Sequence, residues 1–250
     1  MPTNLNTITR DAVYNAPILP YSTETYTPVS NMQIMNLIEE KLKSLGMAIT
    51  NQEYTASMSK EGAIKGVIGK YYVNSGDNEF GQQVMFRNSY DKSMSFAFTV
   101  GTVVWICTNG CVSGDYVYKR VHKGVYENGT TSTWRDISEN VHDGFEHLCE
   151  SFDTITKQMN QLKRFEIGDS DVFKILGELL FNRDAMTITQ FSTVKHELYN
   201  SKNFRHLKDR GFSAYDCYNA ITESLKLSHP MKYVSDHVKT HKLFEEIFGV

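Results

Sequence analysis

Two basic stretches hold the residue types best suited to chemistry. Arg87-Asn88-Ser89-Tyr90-Asp91-Lys92-Ser93 precedes an apolar run from Phe96 to Cys107, and Thr108-Asn109-Gly110 and then Lys119-Arg120-Val121-His122-Lys123 follow it. Arginine offers a fixed fork of donors to phosphate or carboxylate, and a neighbouring tyrosine adds a ring on which a base can stack. Arg87, Tyr90, Lys92, Lys119, Arg120, His122 and Lys123 are therefore candidate nucleic-acid contacts, with Tyr116, Tyr118 and Tyr126 close by. Cations for the backbone and rings for the bases favour single strands. A plainer reading stands beside this one: Asn88, Ser89 and Asp91 can shape a hairpin by bonding local backbone. On a strand, Tyr116, Tyr118 and Arg120 share one face and Lys119 takes the other, so the second cluster converges only in a loop.

Catalytic and metal signals are weaker. His142, Glu146, Cys149 and Glu150 fall within a few helical turns, and His237, His241 and Glu245 follow a four-residue spacing. Neither set contains an H-E-x-x-H pair, and such spacing reads as helix contact rather than a zinc site. No phosphate loop ending in Lys-Ser/Thr and no G-x-S-x-G elbow occurs, and Gly62, Gly66 and Gly69 lack the spacing of a dinucleotide fingerprint. The expectation is a protein without catalysis, cofactor or metal. A metal-dependent nuclease using Asp91 or the histidine-bearing helices is the weakest alternative.

The elements that must hold these residues divide the chain. Residues 1–30, with Pro2, Pro17, Pro20 and Pro28, read as an extended arm whose Tyr14, Ile18, Leu19, Tyr21 and Tyr26 must pack on the domain or on a neighbour. Ser30 caps a helix in which Ile34, Leu37, Ile38, Leu42 and Leu45 recur at three- and four-residue steps, and Gly46 stops it. From Met47 the pattern is that of strands: 62–73, 82–86 and 94–107 are β-branched or aromatic, with Asn74-Ser75-Gly76-Asp77-Asn78 as a turn. Gly62, Gly66 and Gly69 imply bulges or a close backbone approach. After Trp134 helices are expected at 138–165, 170–181, 187–200, 213–227 and 231–248, the fourth capped by Ser213 with Asp216. The result is an α+β fold: an antiparallel β-meander in the N-terminal half, over 31–135, then a helical half over 136–250 packed on it as one compact unit.

The 250 residues include 26 Lys and Arg against 29 Asp and Glu, a formal charge of −3, so a charged partner must be met by a local patch. Residues 60–135 hold 9 bases and 6 acids, whereas 136–200 hold 6 bases and 12 acids. Cys107, Cys111, Cys149 and Cys217 form no C-x-x-C pair, and the first residues lack a charged and then apolar leader. No run of about eighteen apolar residues occurs. A soluble protein of a reducing cytoplasm, without a membrane partner, is the economical expectation.

Asn88-Ser89-Tyr90-Asp91-x-Ser93, Gly101, Cys107-x-Asn109-Gly110, a basic segment with His122, and Tyr218-Asn219-Ala220-x-Thr222-Glu223 occur in that order. In these landmarks, over roughly residues 60–225, the chain resembles the phage- and plasmid-borne proteins labelled phage/plasmid-like protein, a family of unknown function. The resemblance implies a role in phage or plasmid DNA metabolism, within the host cytoplasm, and it supplies no catalytic residues. The leading expectation is a non-enzymatic protein that binds or anneals single-stranded DNA in replication or recombination, working as a homo-oligomer. The alternative is a protein-interaction factor that inhibits a host defence or host enzyme through the acidic segment.

Overall fold

The structure, a computed structural model, describes residues 6–18, 26–74, 80–104, 109–111, 117–121, 126–127, 130–200 and 211–250. In chain order the elements are β1 (Asn6–Thr7), α1 (Arg10–Tyr14), α2 (Asn31–Ser44), β2 (Ile49–Met58), β3 (Ile64–Val73), β4 (Phe80–Ser89) and β5 (Phe96–Val104). Then come β6 (Asn109–Cys111), β7 (Val117–Arg120), β8 (Tyr126–Glu127), β9 (Thr130–Thr131) and α3 (Ser132–Leu162). The rest is β10 (Glu166–Ile167), α4 (Asp169–Gly177), a π-helical turn (Glu178–Asn182), α5 (Ile188–Asn200), β11 (Phe212–Ser213), α6 (Ala214–Leu225) and α7 (Pro230–Phe248). This is the expected α+β order. Among the described residues no helix is long and apolar enough to cross a membrane.

Strands β1 to β6 lie in sequence order in one antiparallel sheet, with β7 also on β5. The chain divides into two compact units, the first holding Met1–Asp77, Gly81–Val100 and Asp115–Cys149 and the second holding Asn78–Phe80, Gly101–Gly114 and Glu150–Val250. The division falls inside α3. Its earlier apolar stripe, Ile137, Val141, Phe145 and Leu148, joins the core of the first unit, while Ile155, Met159 and Leu162 join that of the second.

In the first unit the alternation of strand side chains decides which face meets the helices. Tyr54, Ala56, Val67, Tyr71, Val73, Val84, Phe86, Phe96, Phe98 and Val100 point to one side and bury against α2 and the first half of α3. On α2 the matching stripe is Ile34, Met35, Ile38 and Leu42, all fully buried, each contributing about 1.5–3 kcal/mol. That helix begins as expected: Ser30 Oγ accepts from Gln33 N–H and the Gln33 side chain accepts from Ser30 N–H, a complete capping box. It ends at Gly46, whose φ of +70° suits a residue without a Cβ.

The described parts of the arm, 6–18 and 26–30, contribute Val13 and Val29 to the core of the first unit. β1 pairs with β2, and Arg10 of α1 forks onto Glu39 of α2 at 3.1 and 2.7 Å, with Tyr71 Oη donating to the same carboxylate at 3.3 Å. The glycines of β3 serve close approach, since a Cβ on Gly69 would stand 2.3 Å from the ring of Phe86. A register shift at Ser57/Met58 supplies the expected irregularity beside them. β2 itself lies outside the strand runs singled out above, because Asn51, Gln52 and Glu53 hide the alternation at its edge.

The second unit is built on α6. Ala214, Cys217, Tyr218, Ala220, Ile221 and Leu225 are fully buried among residues of α3, α4, α5 and α7. Ser213 caps α6 with Asp216 in a full capping box, as its sequence suggested. The helix expected at 170–181 breaks earlier, and the π-helical turn after Gly177 carries Phe181 into solvent at 81% exposure.

Overpacking separates two glycines. Gly69→Ala is expected to lower unfolding stability by about 1–3 kcal/mol, because its Cβ meets an aromatic ring that has no free space. Gly177→Ala, whose Cβ would meet nothing within 4 Å at a helical φ of −61°, is expected to raise it by about 0.5–1 kcal/mol. Urea unfolding with unchanged slope checks both.

Candidate functional site

The first basic stretch folds into the β4–β5 hairpin and the end of β4. Asn88 is fully buried, and its Nδ2 donates to Val29 O at 2.9 Å and to Asn31 Oδ1 at 2.8 Å. Tyr90 is 1% exposed and its Oη accepts the Asn31 N–H at 2.8 Å. Ser89 Oγ donates to Met94 O at 2.7 Å and accepts from Met94 N–H at 3.0 Å, and Tyr26 Oη donates to Ser89 O at 3.1 Å. Asp91 accepts from Ser93 N–H at 3.0 Å. Ser89 and Asp91 thus close the hairpin as turn formers do. Asn88 and Tyr90 instead tie the arm and the first turn of α2 to the sheet.

The ring of Tyr90 has no face open to a base. Burial pushes its phenol, like that of Tyr26, above the ordinary range. Arg87 is also enclosed, 3% exposed, donating from Nε to Ser95 O at 3.4 Å and from Nη2 to Ser95 Oγ at 3.3 Å. Desolvation lowers its pKa. Lys92 is exposed in left-handed backbone, φ 65°, with Nζ 4.7 Å above the Tyr26 ring.

The second stretch splits as strand geometry requires. In β7, Arg120 pairs with Phe96 and Tyr118 with Phe98, on the helix-covered side, whereas Lys119 pairs with Ala97 on the other. Arg120 Nη2 stands 2.6 Å from Asp136 Oδ2 of α3, and Tyr118 packs on Phe96 with ring centroids 6.2 Å apart. Lys119 is exposed and has no partner among the described residues. His122, Lys123, Tyr116 and Cys107 lie outside the described residues.

The sheet's second side can be followed by register. Glu53 faces Lys70, Lys70 faces Met85, and Ile68 faces Arg87. Lys70, Arg87 and Lys119 therefore share the side opposite the helices. The carboxylate of Glu53, on that same side, accepts from Tyr72 Oη at 2.9 Å. The sequence pointed to Arg87 and Lys119 but not to Lys70, whose place on this side needs the β2–β3–β4 register.

The histidine-bearing helices contact other helices. His142 Nε2 of α3 lies 2.9 Å from Lys41 Nζ of α2. On α7, His237 and His241 are 1% and 3% exposed, whereas the Glu245 side chain is 37% exposed. His241 Nδ1 is 3.2 Å from Tyr218 Oη, and its Nε2 is 3.6 Å from Glu245. Nearby, Gln190 Nε2 donates to Ser228 Oγ at 2.8 Å, which donates to Asp236 at 2.8 Å. Tyr218, Asn219 and Thr222 of the C-terminal landmark are buried in α6. Among the described residues no group of three His, Cys, Asp or Glu is placed to hold a metal. Burial pushes the Cys217 thiol up to about 12, which removes it as a nucleophile at neutral pH.

Two consequences are measurable. Tyr90→Phe keeps the ring but deprives the Asn31 N–H of its acceptor, and it is expected to cost about 1–3 kcal/mol in denaturant unfolding. Burial raises the Asp236 carboxyl above its ordinary 3.8, against the pull of Ser228, Lys232 and Lys239. The folded chain therefore holds this proton to higher pH than the unfolded one, and stability falls as pH rises from the ordinary value through the raised one. Asp236→Asn is expected to unfold at higher temperature than the parent at pH 7, with the gap closing toward pH 3.

Residues 19–245 match the family model described as Domain of unknown function (DUF932). No curated protein and no solved structure matches the chain. The match takes in both units and every candidate residue described above, so the chain is a member of the DUF932 family.

Proposed function

We propose that this protein is a non-enzymatic nucleic-acid-binding protein of a phage or plasmid, a factor that binds or anneals single-stranded DNA in replication or recombination and acts as a homo-oligomer in the host cytoplasm. The observation that carries the reading is the uneven charge of the sheet's second side. Lys70, Arg87 and Lys119 lie there against the one carboxylate of Glu53, which faces Lys70, so cations outnumber acids on that side of the described strands. Lys119 is exposed and can track a phosphate backbone directly, with the half-buried Lys70 on the same side. Arg87, 3% exposed and bonded to Ser95, touches no strand itself and adds only its charge to that side. Lys92 adds an exposed cation at the β4–β5 hairpin. The setting rests on the resemblance of the ordered landmarks to phage- and plasmid-borne proteins.

A second reading has its own observation. Glu139, Asp143 and Glu146 of α3 are exposed at four- and three-residue steps, an acidic edge suited to a basic host protein. The two readings place the contact on different surfaces.

Binding of fluorescent oligo-dT, followed by anisotropy across a salt series, tests the first. Affinity is expected to fall linearly with log salt, and Lys119→Ala to reduce that slope by about 0.7. Arg120→Ala, which removes a cation already paired with Asp136, is expected to leave affinity within about twofold. Absence of binding at low salt defeats the reading.

A further inference from the structure

In the second unit, the end of α3 and the end of α7 enclose a shallow cavity of about 210 Å³ lined by Gln161, Arg164, Phe165, Phe248, Gly249 and Val250. The rings of Phe165 and Phe248 lie 5.2 Å apart at 47°, and Phe165 keeps 38% of its surface exposed. Phe248 rests in turn on the fully buried Phe244, with centroids 5.6 Å apart, so the platform is anchored to the core. At the rim, the Arg164 guanidinium and the Gln161 amide are exposed and make no side-chain hydrogen bond or ion pair among the described residues. Gly249, at φ +66°, leaves open the space that a Cβ would enter.

We infer that this cavity binds a planar aromatic ring carrying an anionic group, with a nucleoside monophosphate as the ligand class. The ring lies against Phe165 and Phe248, the Gln161 amide meets a polar edge of the base, and Arg164 holds the phosphate. The cavity is smaller than the roughly 300 Å³ at which pockets for larger ligands begin, so it admits one base. Inorganic phosphate alone would use Arg164 and leave the aromatic platform empty. The site belongs to the second unit alone and does not depend on strand binding by the first.

Calorimetric titration of the full chain with dAMP, deoxyadenosine and inorganic phosphate tests it. The expected result is saturable dAMP binding, about tenfold weaker binding of deoxyadenosine, and no saturation by phosphate. Arg164→Ala should weaken dAMP about tenfold and leave deoxyadenosine unchanged, while Phe165→Leu, which keeps an apolar side chain, should weaken both. Displacement of dAMP by oligo-dT would assign the nucleotide to a strand, and its persistence would assign it to the free pool. No saturation by dAMP in the millimolar range, equal binding of phosphate, or an Arg164→Ala variant indistinguishable from the parent would overturn the inference. Strand binding that responds to Lys119→Ala while dAMP fails would overturn this site and leave the strand-binding surface standing.

Discussion

The first unit depends on one buried amide. Asn88 reaches Asn31 across 57 residues of chain and Val29 across 59, while Tyr90 receives the Asn31 N–H from the other side of the same turn. These bonds set where α2 starts, and Ser30 then sets its first turn. Once that end is fixed, the stripe of Ile34, Met35, Ile38 and Leu42 has one way to lie on the sheet. A buried amide left without its partners loses roughly 1–3 kcal/mol, a large share of the stability of a typical domain. The interaction is therefore specific as well as stabilising: a shift of α2 along the sheet would strand several polar groups at once.

The same arrangement gives the two sides of the sheet different residues. One side of the sheet is closed by α2 and the earlier part of α3, and the residues that secure this closure are those of the polar signature. Arg120 and Tyr118 belong to that side too, the former drawn to Asp136 and the latter to Phe96. The cations on the opposite side come from three strands, and antiparallel register rather than nearness in sequence brings them together. The second unit repeats the logic with different groups. Gln190, Ser228 and Asp236 form a hydrogen-bonded chain from α5 to α7, and Tyr218 meets His241 between α6 and α7.

Much of this was legible in the residues. Helix ends marked by Ser30, Gly46, Ser213 and Asp216 follow from local backbone chemistry, and local chemistry is what a short stretch encodes. The long stripe of α3 is equally plain, because its spacing persists over many turns. The role of Asn88 was legible only in part: its type suits a turn, and nothing nearby announces a partner on a helix far upstream. Tyr90 looked like a stacking ring for the same reason, since burial comes from tertiary packing. Lys70 carries no signal of its own, because a lone lysine between Gly69 and Tyr71 reads as an ordinary solvated residue until the register places it on the same side of the sheet as Arg87 and Lys119. The split of Lys119 from Arg120 did follow from strand period alone.

The central claim is that the signature holds the fold while the sheet's second side meets the nucleic acid. Ultraviolet cross-linking of the full chain to oligo-dT, followed by peptide mapping, tests it most directly. Adducts are predicted on the peptides that carry Lys70 and Lys119. Adducts confined to peptides of α3 or its acidic edge, or none at low salt, would contradict it.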